Sequence, residues 1–158
     1  MDTVKRLDEC LKEYLRTATF PVAIKVSQEA SLPPEAKRPS VTFGYHLNVC
    51  QGITMVRRYG WVMGFLKEDH ACAAALVALG IVEEPDFIKD GSFVSPLYAE
   101  TLEMGAKTQQ ATPKMPLGQI QSILLAPLHR AKFEPDLVLI YGNPGQMARL
   151  IQGALYTE

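Results

Sequence analysis

The fold is decided by the stretch WVMGFLKEDHACAAALVALG, residues 61–80. Its first six residues are an apolar run of strand length, and charged residues follow at 67–69. An alanine-rich segment then extends from Ala71 to Leu79 and stops at Gly80, a residue type that commonly ends helices. The stretch therefore predicts a buried strand, a short turn and a helix, with Asp69 as the N-cap of that helix.

The same order recurs near the carboxyl end of the chain. An apolar strand-like run covers Asp136–Tyr141, a turn follows at 142–146, and a helical pattern covers Met147–Tyr156. Asn143 is a residue type that caps helices, and Pro144 stands at the first helical position, where no backbone N–H is required. Two strand–turn–helix units favour a single-domain α/β fold with a mixed or mostly parallel sheet covered by helices.

Alternating or helically spaced apolar residues predict the remaining elements. These are helices over 3–17, 46–58 and 96–104, and strands over 21–26, 41–45 and 121–126. Between 82 and 118, proline and glycine recur without a clear pattern. This segment is interpreted either as a functional lid or as a region whose elements the pattern does not resolve.

Length and charge restrict the classes of function. With 158 residues, the chain is expected to form one domain over 1–158, which buries roughly 68–70% of the surface that its unfolded form exposes. The formal net charge is −1, so neither nucleic acid nor an anionic membrane is an expected partner. A small-molecule ligand or cofactor is the expected partner class, and the composition leaves homo-oligomer formation open.

The charged amino terminus and the cysteine content predict a cytoplasmic protein. Charges at Asp2, Lys5 and Arg6 stand where a signal peptide needs apolar residues, and the longest apolar run, 71–82, is shorter than the ~20 residues of a membrane-spanning helix. Three cysteines without an export signal are expected to be reduced thiols. Cys10, at the margin of the apolar stripe of the first helix, is predicted to be buried and uninvolved in any site.

Two His/Cys pairs are the candidate metal ligands. His46 and Cys50 are four residues apart on a predicted helix, which places their Cβ atoms roughly 5–6 Å apart on one face. His70 and Cys72 follow at the start of the next helix, and two cysteines with two histidines form a known zinc ligand set. Neither spacing is specific for a metal. The alternative is that the cysteines are small side chains packed among apolar residues.

The turn containing Gly142, Asn143 and Gly145 is a candidate anion site, because a helix start presents free backbone N–H groups. Helix starts that follow parallel strands share one edge of a sheet, so the starts at Asp69 and Asn143 are expected to face one crevice. Lys25, on the first predicted strand, is either a charge held near this site or a solvated edge residue. As a plain capping turn, the segment needs no ligand.

Several motifs together resemble the ArCR family, a domain of unknown function (169) found chiefly in anaerobic microbes. The similarity covers nearly the whole chain and runs through Pro21–Lys25, Cys50 with its helix, Glu68–Cys72 with the helix to Gly80, Leu125–Pro127 and Gly142–Leu150. The resemblance implies that Cys50 and Cys72 occupy family cysteine positions, which favours a role in binding a metal or cofactor.

Two features depart from the family pattern. Ala73–Ala75 follow Cys72, where members typically have a Pro-Gly-Gly-like turn. Members also tend to be longer, with further cysteines, which implies a chain truncated at its C-terminal end relative to the family.

Two functions from different classes follow. In the first, the two His/Cys pairs hold an iron–sulfur cluster or a single soft metal in anaerobic metabolism. In the second, the chain is a non-metal module that holds a small anionic metabolite at the two helix starts. A thiol enzyme that uses Cys72 is a weaker alternative, because only His70 accompanies it as a base.

Overall fold

Seven α-helices and four strands are present in the computed structural model, which describes residues 2–156. The helices are α1 (Asp2–Cys10), α2 (Pro39–Thr42), α3 (Val49–Tyr59), α4 (Ala73–Ala78), α5 (Asp86–Lys89), α6 (Leu102–Ala111) and α7 (Pro144–Leu155). The strands are β1 (Val22–Ser27), β2 (Met63–Leu66), β3 (Ser122–Pro127) and β4 (Leu137–Leu139). A π-helical turn covers Leu11–Leu15, and 3₁₀ turns cover Lys67–Asp69 and Leu128–Arg130.

The strands form one antiparallel sheet in the order β2-β3-β1-β4. The α/β class is confirmed, whereas the expectation of a mostly parallel sheet is wrong. Hydrophobic periodicity identifies a strand but not its partner, and β1 takes both its neighbours from the far end of the chain. Antiparallel strands need no crossover helix between them, so a strand–turn–helix order does not specify strand direction.

The sheet directions separate the two helix starts that the sequence placed in one crevice. β2 runs towards Leu66, which lies opposite Ser122 at one end of the sheet. β4 runs towards Leu139, which lies opposite Val22 at the other end. Segments that follow these two strands therefore emerge at opposite ends, and the predicted common edge for His70, Cys72 and Asn143 is wrong.

Both faces of the sheet are covered. On one face, buried residues of the strands such as Val22, Phe65 and Leu125 pack with Val56 of α3. On the other face, Ala23 lies under α1 and the turn that follows it, in a second buried cluster. The sequence predicted one covered face for β1, and the second layer arises because the first helix folds back over the sheet.

Two of the predicted elements differ from the structure. Residues 41–45 are not a strand, because Pro39 stands in the first turn of α2, where its fixed φ suits a helix. The helix predicted over 96–104 instead begins at Leu102. The Thr101 side chain caps it by accepting a hydrogen bond from the Met104 N–H.

The irregular segment 82–118 is a packed part of the fold. Ile88, Val94 and Ala99 are buried within it. Gly91 has a φ of 87° and lies directly against the backbone of α6, so a Cβ there would collide with backbone atoms. The proline and glycine content therefore reflects close backbone packing, and the structure does not support the interpretation as a lid.

Cys10 is exposed in a groove between α1 and α7, so its predicted burial is wrong. The buried side of this part of the chain is formed by Val4, Leu11 and Leu15, and Cys10 lies outside it. None of the helices within residues 2–156 combines the length and apolar character that a membrane crossing requires.

Candidate functional site

The carboxylate of Asp69 is fully buried and bound by donors from two neighbouring segments. It accepts hydrogen bonds from Arg38 Nε (2.9 Å), Ser40 Oγ (2.5 Å), the Ser40 N–H (3.2 Å) and the Leu66 N–H (2.8 Å). Burial raises the pKa of Asp69, but the hydrogen bonds from Ser40, Leu66 and Arg38 outweigh burial and hold the pKa below its usual range. Asp69 therefore joins the segment before α2 to the turn after β2.

Asp69 is not the N-cap of the following helix, as the sequence had predicted. Cys72 occupies the N-cap position of α4, without a side-chain capping bond, and the helix has only six residues. The carboxylate turns back towards Leu66 because the half-buried Arg38 and Ser40 donors lie there. No anion site can therefore be built on a helix start at Asp69.

A bridge between Leu47 and His70 brings the two predicted His/Cys pairs onto neighbouring segments. The Leu47 N–H donates to the Asp69 carbonyl oxygen, and the Ala71 N–H donates to that of Leu47. His46 Nδ1 lies 2.6 Å from the Glu68 carbonyl oxygen and therefore carries the proton. The two segments that carry the His/Cys pairs are therefore neighbours.

The His/Cys residues do not form a ligand set for a metal or cluster. Cys50 is exposed, Cys72 is half-buried, and His70 is buried with its ring 5.3 Å from that of Phe65. Within residues 2–156, no group of three or more His, Cys, Asp or Glu side chains is arranged to hold a metal ion. A zinc or iron–sulfur site needs three or four such ligands. The residues present therefore do not fit the group that the resemblance implies.

Both ring nitrogens of His70 are buried and lack a hydrogen-bond partner within the described part of the chain. Burial lowers the pKa of His70 below its ordinary value, although the charges of Asp69 and Glu68 act in the opposite direction. The imidazole is therefore held neutral in an apolar environment.

A basic cleft of about 620 Å³ lies at the opposite end of the sheet, where β1 begins and α3 ends. Among the described residues, its walls carry four cationic side chains and no carboxylate: Lys12, Arg16, Arg57 and Arg58. Lys12 is paired with Asp8, which lies outside the cleft. A smaller cavity of about 350 Å³ shares Arg57 and Arg58 with it and extends to Asn143 at the start of α7. We call the two together the basic cleft.

The end of α3 positions the two central arginines. Arg57 and Arg58 stand in the last helical turn, where cations interact favourably with the helix dipole. Gly60 ends the helix with a φ of 70°. The Phe20 N–H donates to the Arg57 carbonyl oxygen at 3.0 Å, and Arg130 donates to that of Gly60 at 2.6 Å. Protein donors thus occupy these two carbonyls, and the arginine side chains are left to line the cleft.

Arg57 is held in place without a carboxylate partner. Its guanidinium lies 4.1 Å from the centre of the Tyr141 ring, a distance typical of cation–π stacking. Its Nε atom is buried and has no hydrogen-bond partner among the described residues. No ion pair between a carboxylate and Arg16, Arg57 or Arg58 occurs in that part of the chain either. Three cations therefore face one concave surface without neutralisation.

The start of α7 confirms the predicted cap. The Asn143 side chain accepts from the Gln146 N–H, and Gln146 Oε1 accepts from the Asn143 N–H. Gln146 Nε2 also donates to the carbonyl oxygens of Leu15 and Arg16, which ties α7 to the segment that carries Arg16. The reciprocal cap uses two N–H groups that the predicted anion site needed to be free, so this helix start offers fewer donors to an anion than expected.

Lys25 does not belong to this site. Its Nζ atom donates to Asp136 Oδ1 at 2.8 Å, and the Val26 N–H donates to the other oxygen of the same carboxylate. Of the predicted anion-binding residues, Gly142 and Asn143 line the basic cleft, whereas Lys25 is engaged in an ion pair. Arg16, Arg57 and Arg58 were not among the site residues predicted from the sequence. The adjacent arginines before Gly60 were the one local signal, because a helix end does not need two adjacent guanidinium groups.

Comparison with known proteins gives a family but no activity. No curated protein and no solved structure matches the chain. The family described as Uncharacterised ArCR matches over residues 10–158, a range that includes the ends of α3 and the start of α7. Since this match covers nearly all of the sequence, the chain belongs to the Uncharacterised ArCR family.

Proposed function

We propose that this protein is a binding module for a small anionic metabolite, which it holds in the basic cleft through phosphate or carboxylate oxygens. The observation that carries the proposal is a concave surface on which three arginines have no carboxylate partner among the described residues, on a chain whose net charge is −1. A cleft lined by one sign of charge concentrates the field and raises the local concentration of ions of opposite sign.

The chemistry of the side chains fits an oxyanion. A guanidinium presents paired N–H donors that match the spacing of carboxylate or phosphate oxygens. Arg57 is stacked on Tyr141, so little conformational freedom is lost when it binds a ligand. Its buried, unpartnered Nε is a donor that a bound oxyanion would satisfy, and such donors call for an explanation in a folded protein.

The cleft has dimensions suited to a metabolite. The larger of its two cavities, with a volume of about 620 Å³, falls inside the roughly 300–1,000 Å³ typical of small-molecule sites. A metal or iron–sulfur function has less support, because the described residues offer no group of three ligands. The alternative is a purely structural role, in which Arg57 and Arg58 only stabilise α3 through its dipole, and this alternative predicts no ligand.

Calorimetric titration with inorganic phosphate and with pyrophosphate tests the proposal. We expect saturable binding that weakens as salt is added, since solvent-accessible charges are screened. Arg58→Gln, on an exposed side chain, should raise the dissociation constant about tenfold, which corresponds to ~1.4 kcal/mol. Arg6→Gln is the matched control, because Arg6 is exposed and lies outside the basic cleft.

Two results would refute the proposal. One is the absence of saturable binding for both anions at low salt. The other is an equal loss of affinity in Arg58→Gln and Arg6→Gln, which would show that binding follows net charge and not this cleft. In either case the arginines would be left as partners of the helix dipole.

A further inference from the structure

The basic cleft carries two exposed aromatic rings as well as its cations. Phe20 and Tyr59 both line it, with exposed fractions of 38% and 64%. Phosphate or a simple dicarboxylate would use the guanidinium groups and leave these rings in water. The rings therefore carry information about the ligand that the charges alone do not.

Tyr59 is supported from behind by other aromatic residues. Its ring centre lies 5.5 Å from that of Trp61, and the Trp61 ring stacks on Phe43 at 5.8 Å with an interplanar angle of 21°. A ring held by such neighbours loses little freedom when a ligand stacks on it. Tyr59 is thus an exposed ring with an aromatic neighbour, directly after Arg57 and Arg58 in the chain.

Phe20 is held on the other wall of the cleft. Its backbone N–H donates to the Arg57 carbonyl oxygen, and its ring lies 5.0 Å from that of His129. The ring also lies over Gly60, where an added Cβ would be 3.3 Å from a ring atom. The backbone hydrogen bond places Phe20 next to Arg57, and Tyr59 follows Arg58 directly in the chain, so both aromatic residues lie near the arginines.

We infer that the anion bound in the basic cleft also carries a planar ring, as a nucleotide does, with its phosphates on Arg57 and Arg58 and its base on Tyr59. The inference rests on the proposed anion-binding function and deepens it. Aromatic side chains bind any base through its π face, and stacking strengthens binding on the order of ten- to hundredfold per base. The combination of guanidinium groups with supported rings is therefore suited to this class of ligand.

Titration with ADP, pyrophosphate and adenosine in metal-free buffer tests the inference. Trp61 is the only tryptophan in the chain, and its contact with Tyr59 makes its emission a reporter of stacking. We expect ADP to bind at least ten times more tightly than pyrophosphate and to change the Trp61 emission. Adenosine should bind more weakly than ADP, because it lacks the charged groups.

Substitutions separate the two parts of the ligand. Tyr59→Leu keeps an apolar side chain but removes the ring, so it should weaken ADP about tenfold and leave the affinity for pyrophosphate unchanged. Arg58→Gln should weaken both ligands. Tyr98→Leu is the matched control, because Tyr98 is 86% exposed and does not line the cleft.

The outcomes distinguish this inference from the function on which it rests. Equal affinities for ADP and pyrophosphate, with Tyr59→Leu like wild type, would overturn the planar-ring inference and leave the anion site intact. Failure of both ligands to bind would overturn the proposed function itself. Adenosine binding as tightly as ADP would contradict a site in which the arginines hold the phosphates.

Discussion

Replacement of Asp69 by alanine should destabilise the protein strongly, because the carboxylate is fully buried and joins two segments. The substitution removes four hydrogen bonds and leaves Arg38 Nε, the Ser40 N–H and the Leu66 N–H without their acceptor. Removal of one partner of a fully buried ion pair costs about 3–5 kcal/mol, and we expect a loss of about 3 kcal/mol here, because the Arg38 side chain is 26% exposed and keeps Glu68 as a partner. This is a large part of the roughly 5–15 kcal/mol that stabilises a typical domain.

Urea denaturation of wild type and variant, analysed with a common slope, measures the difference. Glu68→Gln is the control, because Glu68 also pairs with Arg38 at 2.5 Å but its side chain is largely exposed. An exposed pair contributes about 0–1 kcal/mol. If Asp69→Ala and Glu68→Gln lower the free energy of unfolding equally, the buried carboxylate does not hold these segments together and the reasoning fails.

The pH dependence has a definite sign. The folded-state pKa of Asp69 is lowered, so its contribution to stability is fully present above the unfolded-state value, about 3.9. That contribution is lost as the pH falls from there through the folded-state pKa. Asp69→Asn keeps a side chain of similar size but does not titrate, so its stability should fall less than that of wild type over this acidic range.

Three further predictions concern other buried or candidate residues. Because burial lowers the pKa of His70, the free energy of unfolding of wild type should decrease as the pH falls below about 6.5. His70→Leu should lack this decrease and be nearly as stable as wild type at neutral pH, and equal pH profiles of the two proteins in equilibrium unfolding would contradict this. In Gly52→Ala the new Cβ would lie 2.6 Å from a buried aromatic ring of β2, so the overpacking cost of about 1–3 kcal/mol should exceed the roughly 1 kcal/mol gained in helix propensity. Gly153→Ala, where the new Cβ has no atom within 4 Å, should be neutral or stabilising, and thermal denaturation of both variants checks this difference in sign. Wild type, Cys50→Ala and Cys72→Ala, all purified without oxygen, should have the same metal content and visible spectrum, since the described residues offer no group of three ligands. A metal that is present in wild type and lost in both variants would restore the cofactor hypothesis.

Local elements were predictable because their signals are local. The alternation over 21–26 places β1, and the cap formed by Asn143 with Pro144 behind it places the start of α7. Each depends on residues a few positions apart, whose spacing sets which face is apolar and which N–H groups lack a partner. The chain's family was recognisable for the same reason, from short motifs distributed along the sequence.

Strand direction was not predictable in this way. The apolar run of β2 reads the same whether its neighbour is parallel or antiparallel, and only pairing with β3 decides between them. The error then extended to the site, because a parallel sheet would have brought His70, Cys72 and Asn143 to one edge. In the antiparallel sheet, the segment with His70 and Cys72 follows β2 at one end, and Asn143 follows β4 at the other end.

By itself, the sequence determined the fold class, the family and the capped start of α7, since each depends on residue types at short spacing. Only the tertiary structure decided the candidate site. Arg16, Arg57 and Asn143 are distant in the chain, and each alone resembles an ordinary surface or capping residue. They meet because Gln146 binds the carbonyl of Arg16 and the Phe20 N–H binds that of Arg57. A field strong enough to select an anion is a sum over charges brought close in space, and spacing along a sequence does not contain that distance.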